Sequence, residues 1–243
     1  MSGFFNRIYR TIFCRGGYGV HSPFVFELIT NVIEERKYYY CYMQLQTVRL
    51  QILQRKDEIM VGHRKRTIKK ALKKYGYTES EHRLLFRLTN RFQPKNIYVV
   101  GSDFGLTPLY LTAYSTNSAC IAVEPDSTTA SIAKEYVNKY ATASIDVLTS
   151  INEIPDSLDF IVCGAFPEKY TFSVQTFESY LPRIHERSMI VIAGINASSS
   201  NRKVWKAICA HPKVTVTIDL YRLGIVFFNP KLHRQTYKSI ATT

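Results

Sequence analysis

Residues 96–126, NIYVVGSDFGLTPLYLTAYSTNSACIAVEPD, constrain the fold of this chain more than any other stretch. An apolar run of strand type, Ile97 to Val100, meets a turn flanked by Gly101 and Gly105; a helical pattern follows, then a second apolar run ending at Glu124. Two strands joined through a helix form the unit of a parallel sheet, because parallel neighbours need a crossover connection. The glycines let a ligand approach bare backbone, and the following helix turns its positive end toward an anionic group. Glu124 stands nineteen residues past Gly105, where a carboxylate at a strand tip can accept hydrogen bonds from two ribose hydroxyls. Taken singly, the glycines could make a plain turn and the acid a solvated strand end. Their order and spacing favour an adenosine-type ligand.

After Pro94 strands and helices keep alternating, the pattern of a parallel sheet covered on both faces. Strands are expected at about 97–101, 119–124, 143–148, 158–163, 188–193, 214–220 and 223–228, and helices at about 106–115, 126–140, 172–183 and 200–210. The last two strands are too close for a crossover, so VTVTIDLYRLGIVFF predicts an antiparallel hairpin turning near Tyr221 to Gly224. Before Pro94 the pattern is helical. Ser22-Pro23 reads as an N-cap with proline at the first helical position, followed by an apolar face of Phe24, Val25, Leu28, Ile29 and Val32. A second helix is expected through Leu45, Val48, Ile52 and Ile59. A short basic helix is expected over residues 63–77, HRKRTIKKALKKYGY, with Ile68, Ala71, Leu72 and Tyr75 on one side. TESEHRLLFRLTNRF predicts a further helix, opened by Thr78 or Ser80 and closed before Pro94. The expected division is a helical cap, 1–93, and an α/β domain, 94–243.

The 243 residues are 46% hydrophobic, enough to fill a core, and carry a formal charge of +13. Residues 1–90 hold 17 Lys/Arg against 7 Asp/Glu and residues 91–243 hold 15 against 12, so the basic character belongs to the first third. Five cysteines, Cys14, Cys41, Cys120, Cys163 and Cys209, lack metal-type spacing and support neither a disulfide framework nor a zinc site. The last three lie in apolar runs and are expected in the core. With no signal-type leader and no run of eighteen apolar residues, a reduced, cytoplasmic protein without a transmembrane segment is the expectation.

A hairpin at the end of an otherwise parallel sheet resembles the class I S-adenosylmethionine-dependent methyltransferases. RGGYGVHSPFVFELI, LLFRLTNRFQPK and HPKVTVTIDLYRLGIVFF together resemble, more narrowly, a methyltransferase-like family of Bacteroidetes bacteria. The fold class implied is α/β: a Rossmann-like class I methyltransferase sheet with a C-terminal antiparallel hairpin, plus the N-terminal helical cap. The resemblance implies S-adenosylmethionine as cofactor. Gly101, Ser102 and Gly105 would lie against its methionine and sugar, Glu124 would bind the ribose, and Leu148 and Thr149 would approach the adenine. Asp103 would meet the cofactor's ammonium group or cap the next helix.

The chain also departs from that pattern. Relatives usually carry an acid on the first strand where this chain has Val99. Many related O-methyltransferases end their fourth and fifth strands in carboxylates that help hold a divalent metal; here those stretches read Val162-Cys163-Gly164-Ala165-Phe166 and Ile192-Ala193-Gly194-Ile195-Asn196. A thiol, an alanine and glycines offer no hard oxygen ligand. No metal site is expected, and methyl transfer would rely on holding the acceptor in line and removing its proton. The base is not evident. His21, Tyr170 and Asn196 are the candidates, each with a plainer reading as a cap neighbour or loop residue, and Cys163 reads as core packing before nucleophile. A descendant that keeps the fold and cofactor but serves as a catalytically inactive binding or interaction module is the competing reading.

For partners, an unidentified small-molecule methyl acceptor is favoured. The basic stretch Arg64 to Lys74 and the Tyr38 to Tyr42 cluster could instead track phosphates and stack bases of a nucleic acid, though charge runs are usually solvated faces. An amphipathic start, with Phe4, Phe5, Ile8, Ile12 and Phe13 opposite Arg7 and Arg10, could lie on an anionic membrane. The sequence names neither the acceptor nor the oligomeric state.

Overall fold

A computed structural model describes residues 16–17, 19–61, 64–150, 154–164 and 172–240. The amphipathic start, Cys14 and Tyr170 lie outside the described residues. In chain order the elements begin with α1 (Pro23–Leu28), continued by a π-helical turn (Ile29–Ile33), then α2 (Cys41–Gln54), β1 (Glu58–Val61), β2 (Arg64–Thr67), α3 (Ile68–Tyr75) and α4 (Glu79–Phe92). There follow β3 (Asn96–Val100), α5 (Leu106–Thr112), β4 (Ala119–Val123), α6 (Ser127–Tyr140), β5 (Ser144–Leu148) and β6 (Leu158–Cys163). The chain continues through α7 (Val174–Tyr180), β7 (Ile184–Ala193), α8 (Ser199–Ala210), β8 (Val216–Asp219), β9 (Leu223–Phe227) and β10 (Gln235–Lys238). By contacts the chain forms two compact units, one Tyr38–Thr171, the other Met1–Lys37 with Phe172–Thr243.

In the first unit the strand order is β6-β3-β4-β5, all parallel. Ile97, Tyr98 and Val99 on β3 are consecutive and all buried, as expected for a parallel strand covered on both faces. Helix α4 starts where the sequence predicted. Thr78 Oγ1 accepts from the Glu81 N–H, and the Glu81 carboxylate accepts from the Thr78 N–H at 2.7 Å, a complete capping box. Its end is set by Gln93 in the left-handed region (φ 50°), just before Pro94. All seven residues of α5 are buried, because helices preceding the sheet cover it. Leu45, Val48 and Ile52 of α2, Ile68 and Leu72 of α3 and Phe86 of α4 share one apolar cluster with Leu106, Leu109 and Tyr110 of α5 and Ile132 of α6.

Two expectations are corrected in this unit. Ile59 is not on the second helix. That helix ends at Gln54, Arg55 is extended with its guanidinium paired to Asp57 and Glu135, and Ile59 is the buried residue of β1 opposite Arg66. The basic helix expected over 63–77 is likewise split: Arg64, Lys65 and Arg66 lie on β2, antiparallel to β1, and the helix begins only at Ile68, capped by Thr67 Oγ1.

In the second unit the strand order is β10-β8-β9-β7. The predicted hairpin is β8–β9, antiparallel, with Tyr221 in the left-handed region (φ 73°) at its turn. β9 also pairs antiparallel with β7. The hairpin is not the last addition, however, since β10 runs parallel to β8 on its outer side. A Cβ on Gly224 would stand 2.5 Å from the Trp205 ring, so glycine here lets α8 close on the hairpin. Phe24 of α1 meets Phe227 of β9 edge-on at 5.2 Å between centroids, and Ser22 Oγ caps α1 as expected. Cys120 and Cys163 are buried, whereas Cys209, expected in the core, is only half-buried.

Candidate functional site

Parallel register brings the sequence-predicted residues to one edge. Val100 pairs with Val123 and with Cys163, and Val123 with Leu148, so Gly101, Glu124, Thr149 and Gly164 each step off the carboxyl end of a strand at the same level. That edge is where open α/β sheets bind ligands. Leu148 is half-buried and Thr149 exposed. Gly164 donates to the Val100 carbonyl at 2.8 Å, and a Cβ there would stand 3.0 Å from that oxygen.

The turn after β3 is built from left-handed residues. Gly101 and Gly105 have φ of 90° and 92°, and Asp103 and Phe104, at 49° and 61°, adopt the same region with side chains. Such residues cost of order 1–3 kcal/mol each and persist where surroundings hold them. Phe104 is held by burial in the core cluster. Asp103 is held by its carboxylate, which accepts the Tyr77 backbone N–H at 2.7 Å. It does not cap α5, whose N-cap is Gly105 without a side-chain bond.

Behind this turn lies a polar cluster that the sequence reading missed. His82 of α4 is wholly buried, 4.9 Å from the Tyr110 ring and stacked on it. Its Nδ1 faces the Arg49 guanidinium at 3.3 Å, and its Nε2 lies 3.1 Å from Thr107 Oγ1 and 3.5 Å from the Asp103 carboxylate. Arginine only donates, so Nδ1 accepts and the proton sits on Nε2. Burial first, and then the Arg49 charge, push the imidazole pKa well below its usual value. The contact with Asp103 is therefore made by a neutral ring and is not an ion pair. Tyr77 is shared three ways: its N–H goes to Asp103, its carbonyl accepts from Arg49 at 3.1 Å, and its hydroxyl reaches the Cys163 carbonyl at 3.4 Å.

Glu124 is the one carboxylate on this edge with no exposed surface. Its Oε2 accepts the Ser102 N–H at 3.1 Å and the Ser102 hydroxyl at 3.0 Å, while Oε1, equally buried, meets no donor among the described residues. Burial pushes its pKa up to about 7, against the lowering effect of the two Ser102 bonds. A buried acceptor without a partner is costly. A donor such as a ribose hydroxyl would relieve that cost.

The remaining candidates sit elsewhere. His21 is exposed beside the cap of α1. Asn196 donates its side-chain N–H to the Tyr221 carbonyl at 2.9 Å, which ties down the β8–β9 turn. Val99 is a core residue and Cys163 a buried one. Among the described residues no three His, Cys, Asp or Glu side chains gather as a metal site. None of the described helices is long and apolar enough to cross a membrane.

Solved structures resemble the fold of this chain. A methyltransferase from Podospora anserina, SAH-bound, superposes with a TM-score of 0.55 at 10% identity, over 80% of this chain and 99% of its own. An O-methyltransferase from Bacillus cereus in complex with SAH gives 0.53 at 15%, over 84% and 96%. A putative caffeoyl-CoA O-methyltransferase from Staphylococcus aureus gives 0.52 at 14%, over 76% and 99%. The chain has the class I methyltransferase fold. No protein-family profile matches the sequence, and no curated protein is detectably similar to it. At these identities the likeness concerns the methyltransferase fold: a mostly parallel sheet, helices on both sides and an antiparallel hairpin.

Proposed function

We propose that this chain is an S-adenosylmethionine-dependent methyltransferase that needs no divalent metal. The observation that carries the reading is the unpartnered Oε1 of Glu124, buried at the carboxyl edge of the sheet beside the left-handed glycine turn. Its carboxylate would accept a ribose hydroxyl, the Gly101–Gly105 backbone would lie against the methionine part, and Leu148 and Thr149 would flank the adenine. SAH in two of the superposed structures supports the same ligand class. The cofactor, when bound, supplies a methyl group on a sulfonium, a leaving group that requires no metal.

The ends of β6 and β7 support the metal-free part of the proposal. Cys163 and Gly164 follow Val162, and Ala193 and Gly194 follow Ile192, so neither strand end presents a carboxylate or a hydroxyl. His82 is not the base for an acceptor, because its ring is fully buried and both nitrogens are engaged within the protein. Its part is to hold Asp103 and Thr107, and through them the turn.

Equilibrium dialysis with methyl-labelled S-adenosylmethionine in EDTA tests the proposal, followed by transfer of label to added acceptors. Saturable binding and transfer that persist in EDTA are expected. Binding that collapses in EDTA and returns with Mg²⁺ would overturn the metal-free part, and no binding at roughly millimolar cofactor, a free energy weaker than about −4 kcal/mol, would overturn the assignment.

A further inference from the structure

The strongest feature that methyl transfer leaves unexplained is the charge on β2 and α3. Between Arg64 and Lys74 the chain places seven cations and no acid. The structure folds this stretch back on itself. Arg64 and Lys65 stand exposed on β2, and Lys69, Lys70, Lys73 and Lys74 stand exposed on α3. Lys69 with Lys73, and Lys70 with Lys74, form two rows along one side of the helix, with a spacing of about 6 Å, comparable to the separation of neighbouring phosphates on a strand. Among the described residues none of these six side chains has a salt bridge; the nearby Asp57 is paired to Arg55, which leaves Glu58 on β1 as the exposed acid. Uncompensated like charges at such spacing repel one another, and a polyanion relieves that repulsion.

We infer that the β1–β2 hairpin and α3 form a docking face for the phosphodiester backbone of a nucleic acid. An anionic membrane is the other polyanion to weigh. It would need an apolar face next to the cations, but the apolar side of α3, Ile68, Ala71 and Leu72, is buried in the core, and among the described residues Met60 is the sole large hydrophobic that the hairpin exposes. The face also leads to the candidate site: α3 ends at Tyr75, and two residues on Tyr77 donates to Asp103 in the glycine turn. The C-terminal end of α3 thus stands close to the glycine turn. Sequence alone did not favour a nucleic acid, because charge runs are usually solvated helix faces and the cations read as one helix. Folded, they form a ribbon and a helix face together.

The inference concerns binding and stands whether or not methyl transfer occurs. Its test is fluorescence anisotropy of the full chain with a labelled single-stranded RNA and a duplex DNA of about 20 nucleotides, titrated from about 50 to 300 mM KCl without cofactor. With about five phosphates neutralised, the plot of log Kobs against log salt should fall with a slope of about −3.5 on the single strand and about −4.5 on the duplex. Replacing Lys69, Lys70, Lys73 and Lys74 by Glu should weaken binding at least tenfold and flatten the slope, and the milder pair Lys69→Gln and Lys73→Gln should do the same in part. A control with the same charge change on the exposed Lys203, Lys206, Lys213 and Lys231 should bind as wild type. Equal loss in both quadruple variants would reduce the effect to net charge and overturn the docking face. So would absence of saturable binding at low salt, or preference for phosphatidylserine vesicles over either nucleic acid.

Discussion

Ser102 gives both its backbone N–H and its hydroxyl to one carboxylate oxygen of Glu124, and the other oxygen, equally buried, meets no donor among the described residues. Half of the carboxylate thus keeps the glycine turn in register with β4. The other half has no hydrogen-bond donor among the described residues. This asymmetry links fold to function, because what positions the turn also leaves an acceptor open beside it.

Glu124 should make stability depend on pH in an unusual direction. Its folded pKa, about 7, lies above the ordinary 4.5. Between these values the folded state holds the proton and the unfolded state does not, so stability is fully present below about pH 4.5 and declines as pH rises through 7. The full shift corresponds to about 3 kcal/mol. Urea melts at a series of pH values should show the ligand-free wild type losing stability between pH 5 and 8 relative to Glu124→Gln, which has no proton to lose. Parallel curves for the two proteins would refute the assignment of this shift to Glu124.

A ribose hydroxyl donates to the ionised carboxylate better than to the acid. Cofactor binding should therefore lower the Glu124 pKa, release a proton below pH 7, and strengthen from pH 5.5 to 7.5. Calorimetric heats measured in buffers of different ionisation enthalpy report that proton directly. Uptake of a proton on binding would contradict the picture.

Asp103 holds a left-handed turn through Tyr77, so its removal should loosen the turn and the ligand together. Asp103→Ala leaves the Tyr77 N–H without its acceptor and should cost about 1.5–3 kcal/mol, with a parallel loss of cofactor affinity. Asp103→Asn keeps an oxygen at the same place and should recover much of both. Thermal melts and cofactor titrations of the two variants decide it; an affinity loss confined to neither, or equal in both, would remove Asp103 from its positioning role.

Gly105 combines a φ of 92° with a Cβ position 3.0 Å from the Ala133 carbonyl oxygen on α6. Gly105→Ala should destabilise by about 1–3 kcal/mol, read from denaturant midpoints. A neutral effect would mean that the turn has room and freedom that this geometry denies.

From Pro94 to β9 the elements were legible because each carries a local signal: apolar runs of strand length, the Gly101 and Gly105 turn, and an acid ending β4. Thr78, one of the two opening residues the sequence offered, announced α4 in the same way. Elements without that signal were hidden. RKRT of β2 has no apolar residue, and Leu45, Ile52 and Ile59 recur at seven-residue intervals, so a helical period ran on past the break at Arg55. QTYK of β10 buries only Tyr237 and reads as a tail until β8 supplies its hydrogen bonds. At the site, Glu124 and the glycines were readable from spacing, but His82, Arg49 and Tyr77 were not. Their contacts join residues 25 to 86 positions apart, and on α4 His82 looks like one more polar residue of an amphipathic helix.

The most direct measurement is calorimetric titration of S-adenosylhomocysteine into wild type and Glu124→Ala, at pH 8 in EDTA, with both proteins shown to be folded. Saturable binding to wild type, weakened at least tenfold in the variant by loss of a charged-acceptor hydrogen bond of about 1.5–3 kcal/mol, is the predicted result. No binding to wild type at roughly millimolar ligand, or equal affinity in the two proteins, would contradict the placement of the cofactor at Glu124.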